Sequence, residues 1–136
     1  MTKQEIIIKV KELGLPKGSY VVFGSCPLAA VGIREASDID LMVSQEMFTE
    51  LKKNGWVEVN KGSDNTPLVF DVFEAYSSWK FGSYNPSFEN LFSSSTEVDS
   101  VHFASLQEVR EWKVASGRPK DLIDIKLIDE YLEKQL

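Results

Sequence analysis

Apolar residues recur along this chain with two spacings, and the switches between them mark out its elements. In residues 3–13, Ile6, Ile7, Val10 and Leu13 fall three and four apart, which puts them on one helix face, and Gly14 closes the helix. After the turn Leu15-Pro16-Lys17-Gly18, Tyr20-Val21-Val22-Phe23 reads as a strand buried on both faces. Pro27 suits the first turn of a helix, which makes Cys26 its expected cap and Gly32 its expected end. Asp38 to Val43 predicts a second strand. Ser44 then caps a helix carrying Phe48, Leu51 and Lys52 and stopped by Asn54-Gly55. Trp56-Val57-Glu58-Val59 and Leu68–Phe73 predict a hairpin across the intervening Gly, Ser, Asp and Asn residues.

The second half is less regular. Residues 77–97 are rich in Ser, Asn and Gly with scattered aromatics, a pattern for loops with one short helix. Val98–Phe103 predicts another strand. Ser105-Leu106-Gln107-Glu108 is a capping box opening a helix that ends at Gly117. Pro119 starts a last helix with Leu122, Ile125, Ile128 and Leu132 as its inner stripe. A helix after each of the first two strands, with an antiparallel addition, predicts a mixed α/β (α+β) fold. Its sheet is mixed and twisted, with flanking helices and a C-terminal helical pair.

Three acids stand inside apolar segments, where an ionised carboxylate costs several kcal/mol unless it has a partner. Asp38 and Asp40 are two apart on a predicted strand, so both leave the same face while Ile39, Leu41 and Val43 take the other. Two carboxylates side by side repel, and a hard cation with oxygen ligands removes that penalty. Asp71, within Leu68-Val69-Phe70-Asp71-Val72-Phe73, is expected to complete the set from another strand. The alternative for each acid is local: a turn cap for Asp38, an Arg or Lys partner for Asp71. Gly24 lacks a Cβ and lets a phosphate approach the backbone. Ser25 adds a hydroxyl, and the following helix offers free N–H groups.

With 136 residues the chain is expected to be one domain, and 43% hydrophobic with 26% charged residues is ordinary for a soluble globular protein. One cysteine rules out an internal disulfide framework and fits a reducing compartment. The isoleucines Ile6-Ile7-Ile8 are followed at once by charges, so the segment is read as neither a signal peptide nor a membrane span. A cytoplasmic protein with no membrane partner is expected. The net charge of −6 makes an extended nucleic-acid partner unattractive but leaves room for a local basic pocket.

Phe23-Gly24-Ser25, twelve residues, Asp38-Ile39-Asp40-Leu41 and then Phe70-Asp71-Val72 resemble the signature of the nucleotidyltransferase superfamily, with its DNA polymerase beta-like fold. The match spans residues 20–73. The resemblance implies transfer of a nucleoside monophosphate from a triphosphate such as ATP to an acceptor hydroxyl, with two Mg²⁺ ions or Mn²⁺ in their place. It implies that Asp38 and Asp40 hold both metals. Asp71 would hold the catalytic metal and help deprotonate the acceptor, and Gly24 and Ser25 would hold the triphosphate. The catalytic core is then about residues 19–75 and the C-terminal helical segment about 105–136.

A second cluster lies at Lys113 and Arg118-Pro119-Lys120-Asp121-Leu122-Ile123-Asp124. Cations here would stabilise a leaving pyrophosphate. The segment resembles the C-terminal motif of stand-alone bacterial nucleotidyltransferases of the lincosamide-modifying and abortive-infection toxin types. In the toxin type that likeness implies a nucleotide contact from Lys113 and a base at an aspartate of the Lys120-Asp121-x-x-Asp124 stretch, and the local charge adds Arg118, Lys120 and Asp121 as candidate nucleotide contacts. Lys120 stands where Arg is usual in the toxin type. The competing reading pairs Arg118 and Lys120 with Asp121 and Asp124 in a surface joint. Arg34, four before Asp38, opens onto the site, either to contact phosphate or acceptor, or as a solvated loop charge or an ion pair with Glu35 or a nearby acid. Cys26 and His102 read as packing residues; the aromatics Trp79, Phe81, Tyr84, Phe88 and Phe92 read as a satellite core, with the lining of an acceptor pocket as the alternative. The expected partners are a nucleoside triphosphate, an acceptor (small molecule, protein or RNA end) and a second copy or protein partner. A non-catalytic nucleotide-binding regulator, such as a toxin–antitoxin partner, is the alternative.

Overall fold

The computed structural model describes residues 1–62 and 65–136, which form six helices and seven strands. In chain order these are α1 (Lys3–Leu13), β1 (Tyr20–Phe23), α2 (Cys26–Ala30), β2 (Ile39–Val43), α3 (Gln45–Lys53), β3 (Val57–Glu58), β4 (Leu68–Phe70), β5 (Phe73–Tyr76), α4 (Phe88–Ser93), β6 (Thr96–Val98), β7 (Val101–Phe103), α5 (Leu106–Ser116) and α6 (Pro119–Lys134). Local chemistry sets most of the boundaries. Thr2 and Glu5 form a capping box at α1, Gly14 ends it at φ 64°, and the hydroxyls of Ser44, Ser87 and Ser105 cap α3, α4 and α5.

The strands form one mixed sheet in the order β3-β4-β5-β2-β1-β7-β6. β2 is central. It runs antiparallel to β1, aligning Asp40 with Phe23, and parallel to β5, aligning Asp40 with Glu74. Aligned residues share a sheet face. One face, with Val22, Ile39, Leu41, Val43, Phe73 and Ala75, packs on α1, α2 and α3. The other, with Val21, Phe23 and Met42, packs on Trp79, Leu91, Val109, Trp112 and Ile128. The odd–even alternation of β2 therefore sends Asp38, Asp40 and Met42 toward the face covered by α4, α5 and α6.

Several sequence expectations are corrected. The predicted strand 68–73 is two strands, because Asp71-Val72 forms a tight turn and Phe70 pairs with Phe73. Asp71 adopts φ 53°, a left-handed value that Asp tolerates better than most residues. The predicted strand 98–103 is likewise a hairpin, turning at Asp99 and Ser100, both at positive φ. The turn expected near residues 62–65 falls partly on Ser63 and Asp64, outside the described residues. Ser25, not Cys26, is the N-cap of α2. In α6 the inward positions are Asp121, Asp124 and Ile128, whereas Leu122 and Leu132 are exposed, because the helix turns its carboxylates toward the cations described below. Among the described residues no helix is long and apolar enough to cross a membrane.

Candidate active site

A cavity of about 480 Å³ opens where the C-terminal helices meet the β2 and β5 side of the sheet. Its size lies within the roughly 300–1,000 Å³ common for small-molecule sites. One corner is acidic, the opposite wall cationic, and aromatic rings line the rest.

The acidic corner comes from three positions. Asp38 is exposed at the approach to β2, Asp40 is half-buried on it, and Glu74 stands beside Asp40 on β5. Burial pushes the Asp40 carboxyl up to about 7, with the Glu74 and Asp38 charges adding to the rise and Lys61 and Lys113 opposing it. Glu74 accepts the Tyr76 hydroxyl at 3.0 Å and pairs with the Lys61 ammonium at 2.5 Å, both through Oε1. Among the described residues neither Asp38 nor Asp40 makes an ion pair. Gly24 explains how Asp40 fits. It sits at φ 63°, and a Cβ there would fall 2.2 Å from Asp40 Oδ2. Gly24 thus clears space for a carboxylate, and its neighbour Ser25 rather than Gly24 lines the cavity.

The cationic wall is organised by α6. Asp124 accepts two bonds from Arg34, both at 2.8 Å, and pairs with Lys113 at 2.9 Å. Asp121 accepts Arg118 Nε at 2.7 Å, Arg118 Nη2 at 3.0 Å and the Arg118 backbone N–H at 3.1 Å, and lies 3.4 Å from Lys113. Lys113 is 2% exposed and rests 4.5 Å from the Trp112 ring centre, a position an ammonium holds only because two carboxylates meet it. Arg34 also donates to the Ser25 hydroxyl at 2.9 Å. Three cations meet two carboxylates in this network, so one positive charge is left over. Lys120, exposed at the rim, adds another.

Burial works to raise Asp121, but the Arg118 bonds and the Lys113 charge outweigh it and hold the carboxyl down to about 2. Asp124 is lowered in the same way: burial opposes, and the Arg34 and Lys113 bonds prevail. Carboxylates so saturated with donors are poor bases, and Asp121 lies beneath the cations rather than on the cavity lining. In this arrangement the two carboxylates hold Arg34, Lys113 and Arg118 in position. The surface joint pairing Arg118 with Asp121 does form, but Asp124 is taken by Arg34 and Lys113, not Lys120.

The aromatic wall joins core to cavity. Trp79 packs 4.7 Å from Phe23, 4.7 Å from Tyr76 and 5.0 Å from Trp112, and Trp79, Phe81 and Trp112 all line the cavity. Tyr84, Phe88 and Phe92 remain behind this layer as packing residues. Cys26 is buried and donates its thiol to the Asp38 carbonyl; burial, then Asp40, pushes it up to about 12, so it is not a thiolate. His102 stands near Ser95, Glu97 and Phe92, away from the cavity lining.

Of the residues chosen from sequence, Ser25, Arg34, Asp38, Asp40, Lys113, Arg118 and Lys120 meet in the cavity, and Gly24, Asp71 and Asp121 do not line it. Asp71 is exposed at the β4–β5 turn. The third carboxylate of the corner is Glu74. Its signal was the alternation Phe73-Glu74-Ala75-Tyr76, which is only informative once β5 is aligned with β2. Lys61 carried no sequence signal.

The donor set suits a hard cation, since oxygen ligands of three neighbouring acids face one cavity and burial leaves Asp40 short of counter-charge. Among the described residues, however, no three His, Cys, Asp or Glu side chains converge tightly enough to form a ready-made cluster. Glu74 is instead drawn to Lys61.

The chain has the nucleotidyltransferase fold. It superposes on a Thermotoga maritima protein with a provisional nucleotidyltransferase assignment at a TM-score of 0.62 and 16% identity, over 98% of this chain and 96% of that one. It also superposes on ANT(2'')-Ia, solved in complex with adenylyl-2''-tobramycin, at a TM-score of 0.55 and 17% identity, over 95% of this chain and 86% of that one. No family model and no curated protein sequence matches it. At these identities the likeness concerns the fold, and the roles of individual residues rest on their geometry.

Proposed function

We propose that this chain is a nucleotidyltransferase that uses Mg²⁺ or Mn²⁺ to move a nucleoside monophosphate from a triphosphate onto an acceptor hydroxyl. The acceptor oxygen forms a bond to the α-phosphorus, the bond from that phosphorus to the β-phosphate oxygen breaks, and pyrophosphate departs. The acceptor proton passes to a carboxylate of the acidic corner. Asp38, Asp40 and Glu74 are the residues that would hold the metal, which supplies positive charge to the phosphates when bound. Arg34, Lys113, Arg118 and Lys120 would meet the negative charge that builds on the leaving group, and Ser25 would add a hydroxyl donor. Asp121 and Asp124 hold Arg34, Lys113 and Arg118 in place before substrate arrives. The aromatic wall gives the base or the acceptor a flat surface.

The observation that carries this reading is the register of β2 against β5, which sets Asp40 beside Glu74 and opposite a cation array in the same cavity. The adenylyl-2''-tobramycin bound to ANT(2'')-Ia favours an adenylyl donor and a small-molecule acceptor here.

The test is transfer of α-labelled triphosphate to acceptors in lysate fractions, with Mg²⁺. Glu74→Gln and Asp40→Asn should each lower transfer on the order of 100-fold, whereas Asp71→Asn should stay within about twofold because Asp71 lies off the cavity. Loss of activity in Asp71→Asn with Glu74→Gln active would reverse the assignment. Tight triphosphate binding without transfer to any acceptor would point to a regulator instead.

A further inference from the structure

Glu74 has a partner that the proposed chemistry does not require. Lys61, in the segment between β3 and β4, reaches into the acidic corner and places its ammonium 2.5 Å from Glu74 Oε1, the same oxygen that accepts the Tyr76 hydroxyl. Glu74 is largely enclosed, with 14% of its side chain exposed, while Lys61 is 46% exposed. An ammonium half in water is held loosely and can leave at little cost. Among the described residues the remaining acids of the corner make no ion pair, and the acids do not converge as a ready cluster.

We infer that Lys61 is a resident counter-ion for Glu74 that a divalent metal must displace, so that Lys61 sets the metal affinity of the acidic corner. This rests on the reading of Asp38, Asp40 and Glu74 as the metal-holding residues. A monovalent ammonium neutralises Glu74 while the cavity is empty of metal. It also repels an approaching divalent cation and occupies an oxygen that cation needs. A divalent cation carries twice the charge at a shorter contact distance, so it prevails once its concentration is high enough. The exchange releases the Lys61 ammonium from Glu74.

The experiment measures Mn²⁺ binding to the full chain by the electron paramagnetic resonance signal of free Mn²⁺, without nucleotide. Lys61→Met should bind Mn²⁺ about tenfold more tightly than the natural chain, and Lys61→Arg should stay within about twofold of it. The gain should vanish when Lys61→Met is combined with Glu74→Gln, because the competition is for that carboxylate. Equal or weaker binding by Lys61→Met, with the fold intact by circular dichroism, overturns the inference and leaves the metal reading standing. A gain that persists fully in the double variant also overturns it, since it would reflect general repulsion. No binding by any of these chains at millimolar Mn²⁺ overturns the metal reading and this inference together.

Discussion

Asp40 lies between Phe23 and Glu74 on the central strand, and that buried position makes its carboxyl hold its proton tightly. Its ordinary value is 3.8, and burial beside two other acids takes it to about 7. The folded chain therefore holds this proton more tightly than the unfolded chain does between about pH 4 and 7. By linkage, stability falls as pH rises through that window, at about 1.4 kcal/mol for each tenfold difference in proton affinity. Thermal melts in EDTA should show the natural chain losing stability from pH 5 to 8 relative to Asp40→Asn. Parallel curves for the two chains would remove the electrostatic basis of the site. Gly24 belongs to the same scale: its missing Cβ is what admits Asp40, so a motif glycine does steric work for an acid.

Among the elements, α6 is the one whose face departs most from an ordinary amphipathic helix. Its inward positions are two carboxylates followed by Ile128, and Leu122 and Ile123 are left outside. A helix pays for buried acids only where cations are waiting, and here Lys113 on α5, Arg34 in the α2–β2 connection and Arg118 at the helix start all converge. Removing the charge of Asp124 leaves Arg34 and Lys113 sharing too little negative charge. Asp124→Asn should cost about 3 kcal/mol in urea unfolding, and Asp129→Asn, in an exposed pair with Arg110, under about 0.5 kcal/mol. Equal costs would mean that the α6 network is no more than surface pairing.

The whole molecule sets a local cationic wall in a chain of net charge −6. Long-range repulsion and short-range attraction then oppose each other for any polyphosphate, and salt screens the exposed part of both. The short-range part comes from the charge left over in the α6 network together with Lys120, both on the cavity wall. Binding of tripolyphosphate to the metal-free protein, followed by calorimetry, should weaken about tenfold between 50 and 500 mM NaCl. Affinity that rises with salt would mean that the overall negative charge governs access.

Much of this architecture was legible along the chain. The period of the apolar residues located α1, α3 and α5 and the strands of the centre, because caps, glycines and alternation are local chemistry. Asp38 and Asp40 could be paired from sequence because two residues on one strand share a face whatever lies beside it. The third acid could not. Choosing Glu74 over Asp71 depends on a tight turn at Asp71-Val72 and on the register of β5 against β2, and register is a contact between segments more than 30 residues apart. The inward turn of Asp124 has the same origin: a charge enters an interior only where distant segments supply its opposite, here Arg34 ninety residues earlier, so only the folded chain decides which charges meet.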